Sequence, residues 1–478
     1  MSRIVKHFDE FLCRPLLFAF IGMISGILLN RYWGYFISFI VLTLIFIFLK
    51  LISKNKKVYL LRIISFILFI ILFFTGNSLY NIYNQRLIDE KNYLFDKGYL
   101  LIQGYAEPLD NKNKFIKTQK FTHKILIEDV THSIKPYRKY NLYCVFSKER
   151  IFNSFLKART YKTEEIGQPL LYDRLRLFLS GKIITCIGEK EGGFVSAILF
   201  GMREFVYDDT IVFKETGLTH LLALSGLNVT IIICALFVGI SGFVYDLRKR
   251  AVISIIGVIL FLFQSGFCTS AERAGLMIIF YLIGMIFYKR RDEFQALSFS
   301  GLVILLFSPL ELFSVGFQLT FAVTLFILLY VRLFNDILKK VLSDWLAGII
   351  SVTIPAQLAS TPIIAYHFGS ITYLGSFISN IIIVPFFSII LCLSTIFELL
   401  VFIPYLNLIS GIILSGLVRI FYLDIAFLNE FPFTRIIDVS NFKNERWIII
   451  WVVFLISGLF CYFLSDLLSF RRSDEKEG

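Results

Sequence analysis

Long apolar runs alternate with short charged interruptions along most of the chain, and one central stretch breaks that rhythm. Apolar segments lie near 15–30, 33–51 and 58–80. Only "NRYWGY" separates the first two, which read as a retained helical hairpin rather than a cleaved leader. Between residue 82 and about 192, runs of transmembrane length stop. There "GYLLIQGYAEPL", "FTHKILIEDV" and "KYNLYCVFSKER" alternate in part and are broken by Gly, Pro, Asn and Asp, as short strands are. "PLLYDRLRLFLSGKIITCIG" follows, with Leu171, Leu175, Phe178 and Leu179 on one face of a helix suited to a membrane interface. A second apolar block runs from about 194 to 468. The pattern predicts a polytopic α-helical membrane protein with a small β-rich extracytoplasmic domain inserted after the third transmembrane helix. Its predicted parts are a three-helix membrane segment (1–81), the β-rich domain (82–168), an interfacial linker helix (169–193), a transmembrane domain (194–470) and a cytoplasmic tail (471–478).

Composition agrees with the pattern. The 478 residues are 57% hydrophobic and only 17% charged, against roughly 25% charged in soluble domains. The net charge of +13 is partly the excess of Lys and Arg expected in cytoplasmic loops. Arg3, Lys6 and Arg14 precede the first run, and "KNKK", "DLRKR", "KRRDE" and "RLFNDILKK" fall at turns that an alternating path places on one side. "CTSAER", "SPLEL" and "HFGS" fall on the other side. Residues 82–192 hold 20 Lys/Arg against 13 Asp/Glu, a surplus of 7 on the side where that bias gives no reason for it.

Polar residues inside the second block are the candidate functional groups. "TGLTHLLALSGLNVTIIICALF" carries His220, Ser225 and Asn228, the last two on one helical face. "GFCTSAERAGLM" adds Glu272 and Arg273, and "VGFQLTFAV" adds Gln318. "TIPAQLASTPIIAYHFGS" places Gln357 between Pro355 and Pro362, and "GSFISNIIIVPFF" adds Asn380. Each such group in hydrocarbon needs a partner or water, so interhelical hydrogen bonding is one reading for any one of them. Taken together, with prolines that interrupt helices, they predict a polar cavity for a solute.

Several chemistries are excluded at this level. The five histidines form no HxH or HExxH set, and no GxxxxGK[ST] loop occurs, so neither a metal nor a nucleotide cofactor is expected. None of the seven cysteines forms a CxxC pair. Cys144 and Cys186 are the only two in the extracytoplasmic region, which predicts a disulfide between them, with two free thiols as the alternative.

"LFGMREFVYDDTIVFKETGLTHLLALSGLNV" resembles the corresponding segment of the ComEC-type competence proteins, the inner-membrane channels for DNA uptake. The similarity continues in order through "SGFCTSAERAGLM", "PLELFSVGFQLTFAV" and "AQLASTPIIAYHFGSITYLGSFISNIIIVPFF", over about residues 195–390. Asn228 stands where the family usually has His, Met202 replaces an acidic residue, Thr269 stands where Pro is common, and Glu272 is unusual beside Arg273. The resemblance implies that the β-rich domain is OB-like and that the chain is a multi-pass protein of the inner (plasma) membrane, a channel rather than an enzyme. His220, Ser225, Asn228, Glu272, Arg273, Gln318, Gln357 and Asn380 would line a path for single-stranded DNA. Asn228→Leu would then cut uptake at unchanged protein level. Lys112, Lys114, Lys117, Lys120, Lys135, Arg138 and Lys139 would hold DNA at the entrance. The chain ends at Gly478 without the H-x-H-x-D-H motif of the nuclease domain found in many members, so a separate nuclease, a DNA receptor and a cytoplasmic motor are the expected partners besides membrane lipids. The rival readings are a transporter of another solute, such as an amino acid or lipid-linked sugar, and an intramembrane hydrolase using Ser225 and His220.

Overall fold

The computed structural model describes residues 14–29, 56–97, 99–108, 113–117, 125–129, 134, 138–152, 155–167, 170–206, 212–213, 216–222, 224–287, 292–371, 373–430, 437–439 and 453–459. The predicted second transmembrane run (33–51) and the predicted tail (471–478) lie outside them.

Among the described residues two helices come first, α1 (Pro15–Leu29) and α2 (Lys56–Lys97). They pack backbone to backbone because the contact is made of glycine. Side chains at Gly22 and Gly26, a G-x-x-x-G spacing, would strike the carbonyls of Phe69 and Phe73, and one at Gly76 would strike that of Met23. Small residues at this spacing let membrane helices approach closely. Helix α2 is 42 residues long, about 63 Å at 1.5 Å per residue, so it reaches well beyond a bilayer. It runs through the predicted boundary at 81 without a break.

Beyond it, β1 (Tyr99–Pro108), β2 (Asn113–Lys117), β3 (Ile125–Asp129), β4 (Lys139–Phe152) and β5 (Phe155–Gly167) close into a barrel in the order β1-β2-β3-β5-β4. Tyr99 pairs with Val145 and Tyr105 with Lys139 to seal it, and β3 and β5 run parallel. Three of these strands match the alternating stretches of the sequence.

A helical hairpin follows, α3 (Leu171–Ile187) and α4 (Glu189–Phe200), with α4 buried from Gly192 to its end. Its halves join through Ser180 Oγ to Ser196 Oγ at 2.9 Å, with Gly192 against Ile184. Leu171, at 72% exposed, faces outward with Leu175 and Phe178, whereas Leu179 is buried beside Asp173, Arg176 and Ser180. Leu179 therefore departs from the predicted apolar face.

The rest is a helical bundle: α5 (Gly226–Gly239), α6 (Leu247–Gln264), α7 (Thr269–Ile286), α8 (Glu293–Phe307), α9 (Val315–Leu338), α10 (Asp344–Phe368), α11 (Tyr373–Leu400) and α12 (Leu406–Asn429). Arg14 pairs with Asp292 at 2.6 Å and lies over the Phe294 ring. Two basic stretches that charge bias assigns to one side thus meet at one end of the bundle. At the other end Tyr83 of α2 donates to the Phe307 carbonyl at 2.7 Å, which ties the barrel's stalk to the bundle. Among the described residues, five helices are long and apolar enough to cross a membrane, within α2, α9, α10, α11 and α12. The chain is a polytopic helical membrane protein.

Two sequence expectations fail here. Pro355 and Pro362 do not break α10, which runs continuously through both, and Pro385 does not break α11. Both α10 prolines are buried, so packing holds the helix where a missing N–H would otherwise loosen it. Nor is the predicted disulfide formed: Cys144 is a buried free thiol on β4, and Cys186 is an exposed free thiol near the end of α3. Burial pushes the Cys144 thiol up to about 12. A thiol-alkylating reagent should therefore modify exposed Cys186 in the folded protein and leave Cys144 unreacted until the protein unfolds. Quantitative mass spectrometry of alkylated peptides reads this, and a Cys144–Cys186 linked peptide would contradict it.

Candidate functional site

The polar stretch at the head of α5 is a knot rather than a row of free groups. Ser225 caps the helix by accepting from the Asn228 amide N–H at 3.4 Å. Its hydroxyl donates to Asn228 Oδ1 at 2.9 Å, and Asn228 Nδ2 donates to the Ile198 carbonyl at 3.1 Å. Ile198 sits in the last turn of α4, whose carbonyls have no partner within the helix. Asn228 is 0% exposed. It fastens α5 to α4, and the position predicted to line a path is therefore a helix-to-helix contact. Gly226 lies against Ala274, where an added Cβ would come within 3.3 Å of the Ala274 Cβ. His220 lies on a one-turn helix, Thr219–Leu222, and its side chain is outside the described residues.

Beside this knot, at the barrel end of the bundle, three predicted residues do converge. Arg273, on the second turn of α7, is 5% exposed. Its guanidinium lies against Gly316 of α9, where an added Cβ would come within 3.1 Å of Nη2. Glu311 and Glu272 supply the nearby countercharge. Yet Arg273 Nε is buried with no hydrogen-bond partner among the described residues. Glu311 sits on a 3-10 turn, Pro309–Phe313, and accepts from Ser314 Oγ at 2.8 Å, while Ser314 caps α9. Gln318 donates to the Leu312 carbonyl at 3.2 Å and meets His367 Nε2 of α10 at 2.8 Å. The layer is thus Glu272, Arg273, Glu311, Ser314, Gln318 and His367, drawn from the ends of three helices.

The other predicted lining residues stand apart. Gln357 donates to Thr361 Oγ1 at 3.2 Å within α10, and ten residues separate it from His367, about 15 Å along the helix. Asn380 is half-buried on α11, with Oδ1 buried and unpartnered among the described residues. Of the predicted DNA-holding residues, Lys112, Lys120 and Lys135 lie outside the described residues. Lys114 and Lys117 are on β2 with undescribed side chains, Arg138 is half-buried and Lys139 is exposed.

Sequence reasoning missed Glu311, Ser314 and His367, and also one anchor. Arg176 of α3 pairs with Asp173, lies over the Tyr172 ring, and reaches the carbonyls of Phe200 and Ser265 at 3.4 and 3.5 Å. It holds the helical hairpin to the end of α6. Gly266 makes room: its φ is +66°, and a Cβ there would sit 2.7 Å from Arg176 Cζ. The sequence signal was an Arg on the polar side of an otherwise apolar helix.

Further along α7 and α9 lies an open groove of about 480 Å³ between α5, α7, α8 and α9. Its walls are nearly all apolar, with Phe237, Met277, Tyr281 and Met285 prominent.

The fold and this site define a multi-helix membrane protein whose bundle carries a partly unpaired polar layer at the end nearest a small stalked barrel. Residues 198–465, more than half of the chain, match the Competence protein family, and the chain belongs to that family. The chain is also 32% identical over 197 residues to ComE operon protein 3 of Bacillus subtilis (strain 168), a stretch covering 41% of this chain and 25% of that protein. It therefore spans about a quarter of the relative it matches. No solved structure matches significantly.

Removing the knot should show as lost stability. Asn228→Leu leaves the Ile198 carbonyl buried without its donor, at a cost of about 1–3 kcal/mol. Membrane abundance and thermal stability should fall, and any function should fall only in step with abundance. Gly266→Ala should destabilise through Arg176, and Arg176→Ala should add little to it. Melting of the purified variants checks both; an N228L protein as stable as the parent would remove the structural role.

Proposed function

We propose that the chain passes single-stranded DNA through the plasma membrane into the cytoplasm during natural transformation, as a channel without catalytic chemistry of its own. The observation that carries this reading is Arg273. A buried guanidinium with an unpartnered Nε lies in a layer with Gln318 and His367, within the part of the chain that matches the competence family. A strand presents one phosphate per nucleotide, and a spare charged donor beside amide and imidazole groups suits a contact weak enough to release. Membership of the competence family and likeness to a ComE operon protein support the DNA-uptake context.

The closed five-stranded barrel is read as OB-like, a class of domain that binds oligonucleotides in many proteins. With the basic surplus of residues 82–192, it would hold the strand on the extracytoplasmic side and feed it to the polar layer. Force, strand degradation and DNA capture would come from a separate motor, nuclease and receptor.

Deleting the gene and measuring transformation with marked DNA tests the reading directly; unchanged frequency in a competent host would end it and favour another solute. Arg273→Gln should lower transformation per molecule by about tenfold or more, with Arg273→Lys intermediate, because only the charge survives that change. The full chain should bind single-stranded DNA without sequence preference, with log affinity falling linearly in log salt. Replacing Lys114, Lys117 and Lys139 together should flatten that slope.

A further inference from the structure

A carboxylate stands in the apolar span of α11, away from the polar layer. That helix buries a stripe that includes Phe387, Ile390, Leu391, Phe397 and Val401 just past its end. Ser394 and Glu398 belong to the same stripe, four residues and about 6 Å apart along one face. Ser394 is 0% exposed, and its Oγ has no hydrogen-bond partner among the described residues. Glu398 is half-buried. The Gln264 amide, at the end of α6, neighbours the Glu398 carboxyl. Gln264 Nε2 is itself buried and closes no full hydrogen bond among the described residues. Phe178 of α3 stacks on Phe402 in the turn after α11, with ring centroids 6.0 Å apart, and shields this end of the helix.

Among the described residues no Lys, Arg or His pairs with Glu398. Arg176 of α3 is held by Asp173, and Arg419 of α12 by Glu191 of α4 at 2.6 Å. Lys190 of α4 lies over the Tyr422 ring, and His367 of α10 meets Gln318. Helix α5 carries no charged residue. The basic head of α6 ends at Arg250, about 21 Å along the helix from Gln264.

We propose that Glu398, Ser394 and Gln264 form a binding site for a small monovalent cation, a proton or a sodium ion, between α11 and α6. An ionised carboxylate in an apolar wall is costly unless a positive charge meets it, and no side chain supplies one here. Two further buried polar atoms stand idle beside it, and each is unfavourable while it stays so. One added cation satisfies all three groups. As a carboxylic acid, Glu398 gives its O–H to Ser394 Oγ and accepts from Gln264 Nε2. A sodium ion takes oxygen from the carboxylate, from the Ser394 hydroxyl and from the Gln264 amide after a half-turn of that group. Helix α6 starts in the basic turn "DLRKR" and ends at Gln264, so the site lies toward the side away from the basic turns. The partial exposure of Glu398 gives a cation a way in from that side. This inference stands apart from the DNA-channel reading, because none of its three residues belongs to the layer around Arg273.

The full chain in lipid nanodiscs is treated with a hydrophobic carbodiimide, which adds to protonated carboxyl groups, and modification of the Glu398 peptide is followed by mass spectrometry. Glu398 should be modified by this reagent and much less by a water-soluble carbodiimide. If sodium is the ligand, sodium chloride should slow the reaction by about fivefold or more at fixed pH, by mass action, whereas choline chloride of equal strength should not. If the proton is the ligand, the two salts give equal rates and only a rise in pH slows the reaction. In either case Ser394→Ala should move the midpoint to a cation concentration about fivefold higher or more, since one ligand group is lost. A midpoint does not depend on how much protein is present, so reduced abundance cannot imitate that shift. Equal modification by both carbodiimides marks a solvated carboxylate and overturns the proposal. So does a Glu398 that stays unmodified at every pH and sodium concentration, and so does a midpoint that Ser394→Ala leaves in place.

Discussion

Every backbone carbonyl at a helix end needs a donor, and in hydrocarbon water cannot supply one. Much of this structure follows from that constraint. Asn228 serves the Ile198 carbonyl, Arg176 serves those of Phe200 and Ser265, Gln318 serves Leu312 and Tyr83 serves Phe307. In each case a polar side chain from one element caps the end of another. The same bonds join elements far apart in sequence, so the caps double as the fasteners of the bundle. The helical hairpin, the head of α5 and the barrel's stalk are all held in this way.

That economy explains which features of the sequence were legible. Hydropathy reports the solvent around a segment, and it placed the apolar blocks and the central polar stretch well. It does not report conformation, which is why α2 was cut short. Residues 82–97 lose their apolar character while remaining helical, because a helix leaving the membrane keeps its backbone bonds. The prolines misled for a related reason. Pro355 and Pro362 remove donors from the carbonyls one turn earlier, but the surrounding packing holds α10 in one piece. Strands β1, β3 and β4 alternate visibly, whereas β5 is rich in Lys, Thr and Glu and is held by pairing on both edges.

The site was legible by residue and not by geometry. Glu272, Arg273 and Gln318 stood out as polar groups in apolar runs, and they do come together. His367 was visible too, but its bond to Gln318 spans 49 residues and nothing local announces it. Asn228 stood out in the same way. A polar group in an apolar helix reads the same whether it faces a cavity or a carbonyl, and only the fold reveals the Ile198 carbonyl within reach.

This distinction sharpens what a passage must look like. A side chain already bonded to a helix end has little left to offer a solute, so the polar residues most conspicuous in the sequence are the poorest lining groups. The informative atoms are those left over. Among the described residues these include Arg273 Nε on α7, with Ser379 Oγ, Asn380 Oδ1 and Ser394 Oγ on α11. Leaving a buried polar atom unmade costs about 1–3 kcal/mol, and an apolar residue of similar shape would remove the cost outright. A fold that caps its helix ends so thoroughly has the means to satisfy these atoms as well. The left-over atoms include two that belong to guanidinium groups, Arg273 Nε on α7 and Arg250 Nε on α6. At Arg273 the charges of Glu311 and Glu272 stabilise the buried guanidinium, while its Nε has no hydrogen-bond partner among the described residues.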